Sequence, residues 1–373
     1  MRKGWEYKKL GDCTQILDSQ RKPVTKRDRK SGIYPYYGAT GIQDYVDKYI
    51  FDGRFVLVGE DGAKWSSFTQ SAFIIEGKTW VNNHAHVLRT NDFLVDSFLV
   101  YFLNYSDLDS YISGAIIRKL TQASLRNIDI PLPPKSTQLA IVSELDKINE
   151  LIRLKKELLK DFDNLAQSLF YEMFGDPVEN EKGWEVKKLG DVCTDIKYGT
   201  SKPATENGRY TYLRMCNLTT DGFLDLSNTK QIDIPDDEIE KCIVRYGDIL
   251  FNRTNSIELV GKTCLFDQKE PMVIAGYIIR VRLNDTLLPV VLARMFNLAS
   301  IKKLLRSMAK GAVNQANINS KELASIRIPL PPLSLQHLFA QRIEQIEREK
   351  SEVQKSIQDL ETLLASRMQY WFE

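Results

Sequence analysis

The residues IPLPP at 130–134 put three prolines into five positions. No helix interior accommodates such a run, and it suits a central strand poorly. A long segment of helical periodicity starts directly after it. The same five residues return at 328–332, again just ahead of such a segment. The reading is a proline-stiffened elbow used twice, extended and poor in hydrogen bonds, which delivers the chain to a first helical turn at a limited angle.

A second pair of matching stretches makes the elbow part of a larger repeat. GWEYKKLGD at 4–12 returns as GWEVKKLGD at 183–191, with one substitution. The displacement is 179 residues at this end and 198 at the elbow, and 198 then holds through both helical segments, so that 164–174 falls on 362–372. The second copy is therefore 19 residues longer, all of it between the GWE strand and the elbow. Fixed ends surround a variable middle.

The segments after the elbows carry sustained heptads. Ile141, Leu145, Ile148, Ile152, Lys155, Leu159, Phe162, Ala166, Leu169 and Met173 alternate spacings of four and three. Phe339, Ile343, Ile346, Lys350, Val353, Ile357, Leu360, Leu364, Arg367 and Trp371 do the same in register. An apolar seam with charged flanks predicts a coiled coil, and two seams in one chain most simply bury each other. The interface residues expected are Leu145, Ile148, Ile152, Leu159 and Phe162 against Ile343, Ile346, Val353, Ile357 and Leu360. Forty residues of helix extend roughly 60 Å. Lys155 and Lys350 sit near the middle of each seam, either fixing register or running their stems along it.

The middles are of a different kind. RFVLVGEDG (54–62), AFIIEGKTWV (72–81) and AHVLRT (85–90) are short β-type runs bounded by Gly, Asp and Asn. YGDILFNRT (246–254), LVGKTCLF (259–266) and YIIRVRL (277–283) match them in the second copy. Helical pieces follow around 96–109 and 289–308. The expected fold is α+β: two globular domains joined by two long antiparallel coiled-coil helices, with an internal pseudo-twofold repeat. The boundaries expected are 1–134 and 177–332 for the globular domains, and 135–176 and 333–373 for the helices.

Composition limits the function classes. Hydrophobic content of 43% and aromatic content of 10% over 373 residues support folded cores. No apolar run approaches the ~20 residues that span a bilayer, and MRKGWEYKKL lacks the apolar centre of a signal peptide, so a cytoplasmic location is expected. Five cysteines, none in a C-x-x-C motif, argue against a disulfide framework or zinc ribbon. The net charge of +2 neither demands nor excludes nucleic acid, but RKPVTKRDRK at 21–30 is locally basic. It reads as a solvated loop or as a phosphate-contacting one.

Motifs for catalysis are sparse. GKT at 261–263 lacks the earlier glycine of a P-loop, since Ser256 stands in its place. His84 and His86 in NNHAH (82–86) would face the same way in a strand, as two metal ligands do. The second copy has no such pair, and Asn and His reading base edges or satisfying loop backbone is the stronger reading. Neither a nucleophile elbow nor a dinucleotide fingerprint is present. No cofactor or metal is expected. GDILFNRTNS (247–256) ends a strand in amide, guanidinium and hydroxyl groups, the chemistry that reads bases and phosphates. NQAN (314–317) is a similar turn, while YYGATGIQDY (36–45) and GEDGAKWSS (59–67) are glycine-punctuated loops with aromatic and polar groups.

Taken together, these residues resemble the specificity subunits of type I restriction–modification systems along nearly the whole chain. The paired GWE-x-KKLGD starts, the paired I-x-IPLPP elbows with Gln138 and Gln336 four residues on, and the paired helices carry the resemblance. YYGATGIQDYVDKYIFDG, GEDGA and WVNNHAHVLR look like one type of target-recognition domain; YLRMCNLT, GDILFNRTNS and ELVGKT look like another. The resemblance implies a non-catalytic subunit in which each globular domain reads one half of a split site in double-stranded DNA. It implies helices that space the domains and dock two adenine-methylating modification subunits, with motor-nuclease restriction subunits completing the complex.

Loop chemistry and resemblance together nominate DNA contacts at Lys22, Lys26, Arg27, Tyr37, Thr40, Lys64, Trp65, Asn82, Asn83, His84 and His86 in the first domain. In the second they nominate Lys202, Arg214, Asn217, Asn252, Arg253, Thr254, Asn255, Ser256, Lys262, Asn314, Gln315 and Asn317. Competing readings are a helical scaffold that binds no DNA and a stand-alone metal-dependent nuclease using His84, His86 and Asp61.

Overall fold

The computed structural model describes residues 5–114, 116, 118–312 and 315–373. The chain divides into two compact units, one of residues 1–157 with 353–373 and the other of residues 158–352. Each unit therefore holds one middle segment with half of each long helix.

The two fixed ends of each repeat turn out to be partners. In the first unit Glu6–Lys9 pairs antiparallel with Asp129–Leu132, Tyr7 opposite Pro131. In the second, Glu185–Lys188 pairs with Arg327–Leu330, Val186 opposite Pro329. The expected elbow without ladder partners is corrected here: its first half is a strand. A two-stranded ladder is all edge, so a proline is tolerated where a central strand would refuse it. The next residue repeats as well, since the Leu10 amide donates to Ile128 O and the Leu189 amide to Ile326 O, both at 2.8 Å.

After the ladder the chain turns straight into the long helices, Lys135–Phe174 and Leu333–Phe372. Pro134 O accepts the amides of Thr137 and Gln138, and Pro332 O those of Leu335 and Gln336, so the last proline caps the first turn. Gln138 and Gln336 are fully buried. The Gln138 amide donates to Pro133 O and Phe93 O and accepts from the Val95 amide, each at 2.9 Å. Gln336 repeats the set with Pro331 O at 2.8 Å, Thr286 O at 3.1 Å and the Leu288 amide at 2.8 Å. Each glutamine thus ties the elbow to the residue that opens a helix of the middle segment, Asp96–Tyr105 or Pro289–Phe296.

In the first unit a six-stranded sheet runs in the order Thr14–Ile16, Ala85–Thr90, Phe51–Gly59, Ala72–Val81, Ser31–Gly38, Gly41–Val46. Ser31–Gly38 pairs parallel with Ala72–Val81, and the other pairings are antiparallel. The central strand reads FVLV because both its faces are covered. Val56 and Val58 join a core with Phe98, Leu99, Ile141 and Leu145, and Phe55 and Leu57 join a second core with Ile75 and Val87. Phe372, at the end of the second long helix, packs among Phe98, Phe102 and Tyr105.

In the second unit the longer middle makes two four-stranded sheets and a small third one. The first runs Cys193–Tyr198, Ile278–Leu283, Ile249–Asn252, Thr263–Leu265; the second Lys230–Ile232, Tyr210–Leu213, Met272–Ile274, Ile243–Val244. Thr254–Asn255, Gln315–Asn317 and Lys310–Ala312 form the third. Helices Pro289–Phe296 and Ala299–Met308 cover the core, which takes in Phe170 and Phe174 of the first long helix and Phe339 of the second.

The long helices pair antiparallel within each unit. Glu144 meets Arg367 and Trp371, and Lys156 meets Glu361 at 2.7 Å, in the first unit. Phe170 packs on Phe339 with ring centroids 5.5 Å apart, and Asp163 meets Lys350 at 2.5 Å, in the second. Leu145, Ile148, Ile152, Ile343, Ile346 and Ile357 are buried, and Leu159, Phe162, Val353 and Leu360 are half-buried. Lys350 is only 6% exposed; its stem lies in the seam while Nζ reaches Asp163 and sits 4.6 Å from the Phe223 ring centroid. Among the described residues no helix is long and apolar enough to cross a membrane. All five cysteines are free, three of them buried.

Candidate nucleic-acid interface

In the first unit the basic loop 21–30 is anchored by its backbone. Trp80 Nε1 donates to Lys22 O at 2.6 Å, and the Tyr36 hydroxyl accepts the Val24 amide at 3.1 Å. Two of its cations turn inward: Arg21 donates to Glu60 at 2.5 Å and to Ala85 O at 2.8 Å, and Arg29 pairs with Asp44 over the Tyr36 ring. Lys22, Lys26 and Arg27 stay exposed, so the loop presents positive charge on a fixed backbone. Thr40, Lys64, Asn83 and His84 are exposed as well, and Tyr37 is half-buried against Phe73, its hydroxyl pKa raised by burial.

The second unit repeats this anchoring in a form the sequence reading passed over. KPVT at 22–25 returns as KPAT at 202–205. The buried Tyr212 hydroxyl donates to Lys202 O at 3.2 Å, much as Tyr36 holds Val24. Lys202 itself pairs with Glu238 at 2.8 Å. A short polar repeat displaced by 180 residues was the available signal.

Five nominated contacts are corrected by burial. Trp65, 4% exposed, sits in the core and donates to Gly59 O at 3.1 Å. Asn82, 2% exposed, donates to Gln43 and accepts the His84 amide, holding the turn between two strands. Asn217 accepts the Arg214 amide and donates to Asp225 O and Asn228 O. Asn252 donates to Tyr277 O and accepts from Asn255. His86 is fully buried, with Nε2 2.8 Å from Leu120 O and Nδ1 2.6 Å from Asp18. These side chains are turned inward to close loops or fill the core, away from any duplex at the surface.

Three more are engaged without being buried. Lys262 Nζ donates to Met215 O and Leu218 O, and burial lowers its pKa. Arg214 donates to Asn228 O at 2.9 Å. Ser256 is half-buried beside Asn255, whose side-chain oxygen accepts the Ser256 amide. Asn314 lies outside the described residues.

His84 and His86 do not face the same way. The strand starts at Ala85, leaving His84 in the preceding turn, where it meets Asp61 at 2.5 Å while His86 points inside. Asp18, Glu60 and His86 bring ligand-type atoms within 4.8 Å of one another. Arg21 and Lys119 are paired with those carboxylates, so positive charge already stands where a metal ion would have to sit. Burial raises the Asp18 pKa, but hydrogen bonds from His86 and Val87 and the charge of Arg21 outweigh it, and the net is a lowered value. Glu60 is lowered against burial by Lys119 and Arg21 in the same manner.

In the second unit the structure brings Arg253, Thr254, Gln315 and Asn317 together around one open cleft, with Tyr277 and the ion-paired Lys310 and Glu322. The Arg253 guanidinium lies over the Tyr198 ring at 4.9 Å. Thr254 pairs with Asn317 across the small sheet, and the Thr254 hydroxyl donates to Asn317 Oδ1 at 3.4 Å. A cation, a hydroxyl and two amides around an open cleft match the donor and acceptor chemistry of base edges and phosphates.

The family model described as type I restriction modification DNA specificity domain matches the chain twice, at residues 2–161 and 181–362. A putative type I restriction enzyme specificity subunit of Haemophilus influenzae is 29% identical over 92% of this chain and 87% of its own length. The EcoKI specificity subunit of Escherichia coli K12 is 24% identical over 73% of this chain and 62% of its own length. Among solved structures, the S subunit of a type I restriction–modification system from M. genitalium superposes with a TM-score of 0.55 at 14% identity, covering 99% of this chain and 96% of that one. A chain from a study of complex assembly and conformational transition in the type I system gives 0.60 at 20% identity, covering 100% and 98%.

Proposed function

The chain belongs to the type I restriction–modification DNA specificity family, and on that premise we propose that it reads a split site in double-stranded DNA, one half with each middle segment. The observation that carries this reading is the double match of a DNA-specificity model to one chain whose two middles differ in sheet architecture. Two unlike surfaces on one repeated frame suit a site with unlike halves. The exposed Lys22, Lys26 and Arg27 of the first unit, and the cleft around Arg253 in the second, supply phosphate and base chemistry.

The long helices serve as spacer and as docking surface for two modification subunits, with restriction subunits joining the same complex. Beyond the seam, the first helix leaves Leu139, Leu151 and Leu154 exposed in the first unit and Leu158 and Leu165 in the second. Such apolar residues outside the seam between the two helices favour partner helices. In this arrangement adenine methylation and DNA cleavage belong to the partners.

Sequencing the methylome of the host with and without the chain, alongside filter binding at several salt concentrations, tests the reading. Loss of methylation at a single bipartite motif, and affinity that falls steeply and linearly on logarithmic axes with salt, is the expected result. An unchanged methylome with salt-insensitive binding would identify a scaffold instead.

A further inference from the structure

The backbone hydrogen bonds that frame the cleft of the second unit recur at a matching place in the first. The Glu60 amide donates to His84 O at 2.8 Å and Glu60 O accepts the Leu120 amide at 2.8 Å. The Arg253 amide donates to Tyr277 O at 3.0 Å and Arg253 O accepts the Ile318 amide at 2.9 Å. Leu120 and Ile318 are displaced by 198 residues, the same as the elbows. The next residues agree: Asp61 bridges Lys119, and Thr254 pairs with Asn317. Four backbone positions thus recur, occupied by Glu60, Asp61, His84 and Lys119 in one unit and by Arg253, Thr254, Tyr277 and Asn317 in the other.

Their chemistry differs in kind. The first set is closed on itself, with Glu60 and Lys119 at 2.7 Å and Asp61 and His84 at 2.5 Å. The second set contains one cation and no carboxylate. Among the described arginines of that unit that are partly or fully buried, Arg280 pairs with Asp195, Arg282 with Asp248 and Arg294 with Glu347, while Arg214 has no carboxylate but directs its head group to the oxygens of Asn228. Among the described residues the Arg253 head group has one long contact, from Nη1 to Gly276 O at 3.5 Å, and its buried Nε has no hydrogen-bond partner. The Tyr198 ring holds the guanidinium plane without consuming its donors.

We infer that Arg253 is the specificity-determining residue of the second half-site, donating from its guanidinium to the O6 and N7 of one guanine, with Tyr198 positioning it. The inference rests on the proposed DNA-reading function. Amides and a hydroxyl around the cleft, rather than further unpaired cations, favour a base edge over the backbone: Asn317, Gln315 and Thr254 line it, and Lys310 is paired with Glu322 at 2.6 Å. A bidentate pair of this kind commonly carries the larger part of discrimination at its position.

The test uses the full chain with its modification partners and the motif that the methylome defines. Each guanine of the second half-site is replaced in turn by 7-deazaguanine, which lacks the N7 acceptor. With the native chain one replacement should weaken binding roughly tenfold, and with Arg253→Gln the same replacement should have no further effect. Arg253→Lys should retain binding but lose discrimination at that one base pair, and Tyr198→Phe, which keeps the ring but loses the hydroxyl that accepts the Ser320 amide, should keep the native coupling to that guanine. The inference is overturned if Arg253→Gln weakens all sequences equally and reduces the salt slope by about one, the mark of a phosphate contact. It is also overturned if no guanine shows coupling to Arg253. A native chain without any motif would instead overturn the DNA-reading function itself.

Discussion

Asp18 and Glu60 stand in a cluster whose charges matter to stability. Both carboxyls lie below their ordinary range in the folded chain. A carboxylate with a lowered folded pKa contributes stability that is present above its unfolded value and lost as pH falls through the folded one. The native chain should therefore lose stability from about pH 4 downward, and Asp18→Asn should flatten that loss while costing stability at neutral pH. Urea unfolding at a series of pH values checks this, and identical slopes for the two chains would show that the cluster is not linked to folding. The same cluster explains a misreading from sequence. NNHAH looks like one functional group of residues, but a strand that begins at Ala85 sends His84 outward and His86 into an ion-pair network. Nothing in five consecutive letters tells which amide or imidazole closes a turn and which remains free. The groups to which Asn217 and Asn252 donate are backbone carbonyls, which carry no signature in the sequence.

Elements were legible to the extent that periodicity set them. The two long helices follow from heptads without an internal glycine or proline, and the seam residues lie where the spacing puts them. The ladder between the GWE strand and the elbow was not legible, because proline argues against strand pairing and only the edge position lifts that objection. The glutamine after each elbow could be noticed as a repeat but not interpreted. Replacing Gln138 by methionine keeps the side-chain length and leaves the Val95 amide and the carbonyls of Phe93 and Pro133 unpaired beside the elbow. The expected cost is about 3 kcal/mol, the penalty for unsatisfied buried groups, and Gln336→Met should cost about as much. Denaturant unfolding measures it, and a change below about 1 kcal/mol would show that the junction is held by the ladder alone. The helix-to-helix contact differs between units: the Tyr101 hydroxyl donates to Asp146 and accepts from Asn149 in one, and Arg294 donates to Glu347 in the other. Asn149 and Glu347 are repeat equivalents, so each middle segment carries a key for its own helix.

At the scale of the molecule, the proposed spacer role makes a geometric prediction. Deleting one heptad from each long helix, at equivalent positions, removes about 10 Å of helix, close to three base pairs of duplex at 3.4 Å each. The gap tolerated between methylated half-sites should shorten by about that amount with both half-sites unchanged. Methylome sequencing of the deletion strain reads this directly, and an unaltered gap would end the spacer role while leaving base reading intact.

The paired strands at Glu6–Lys9 with Asp129–Leu132, and at Glu185–Lys188 with Arg327–Leu330, carry one more implication. Each middle leaves and re-enters the frame through neighbouring strands, so the frame meets it as a loop with pinned ends. The chain between those strands is 19 residues longer in the second copy, yet closing the longer loop adds only on the order of 0.1 kcal/mol. A mount that is so indifferent to the length of what it carries lets reading surfaces be exchanged by recombination between the two strands, while the helices and whatever docks on them remain as they were.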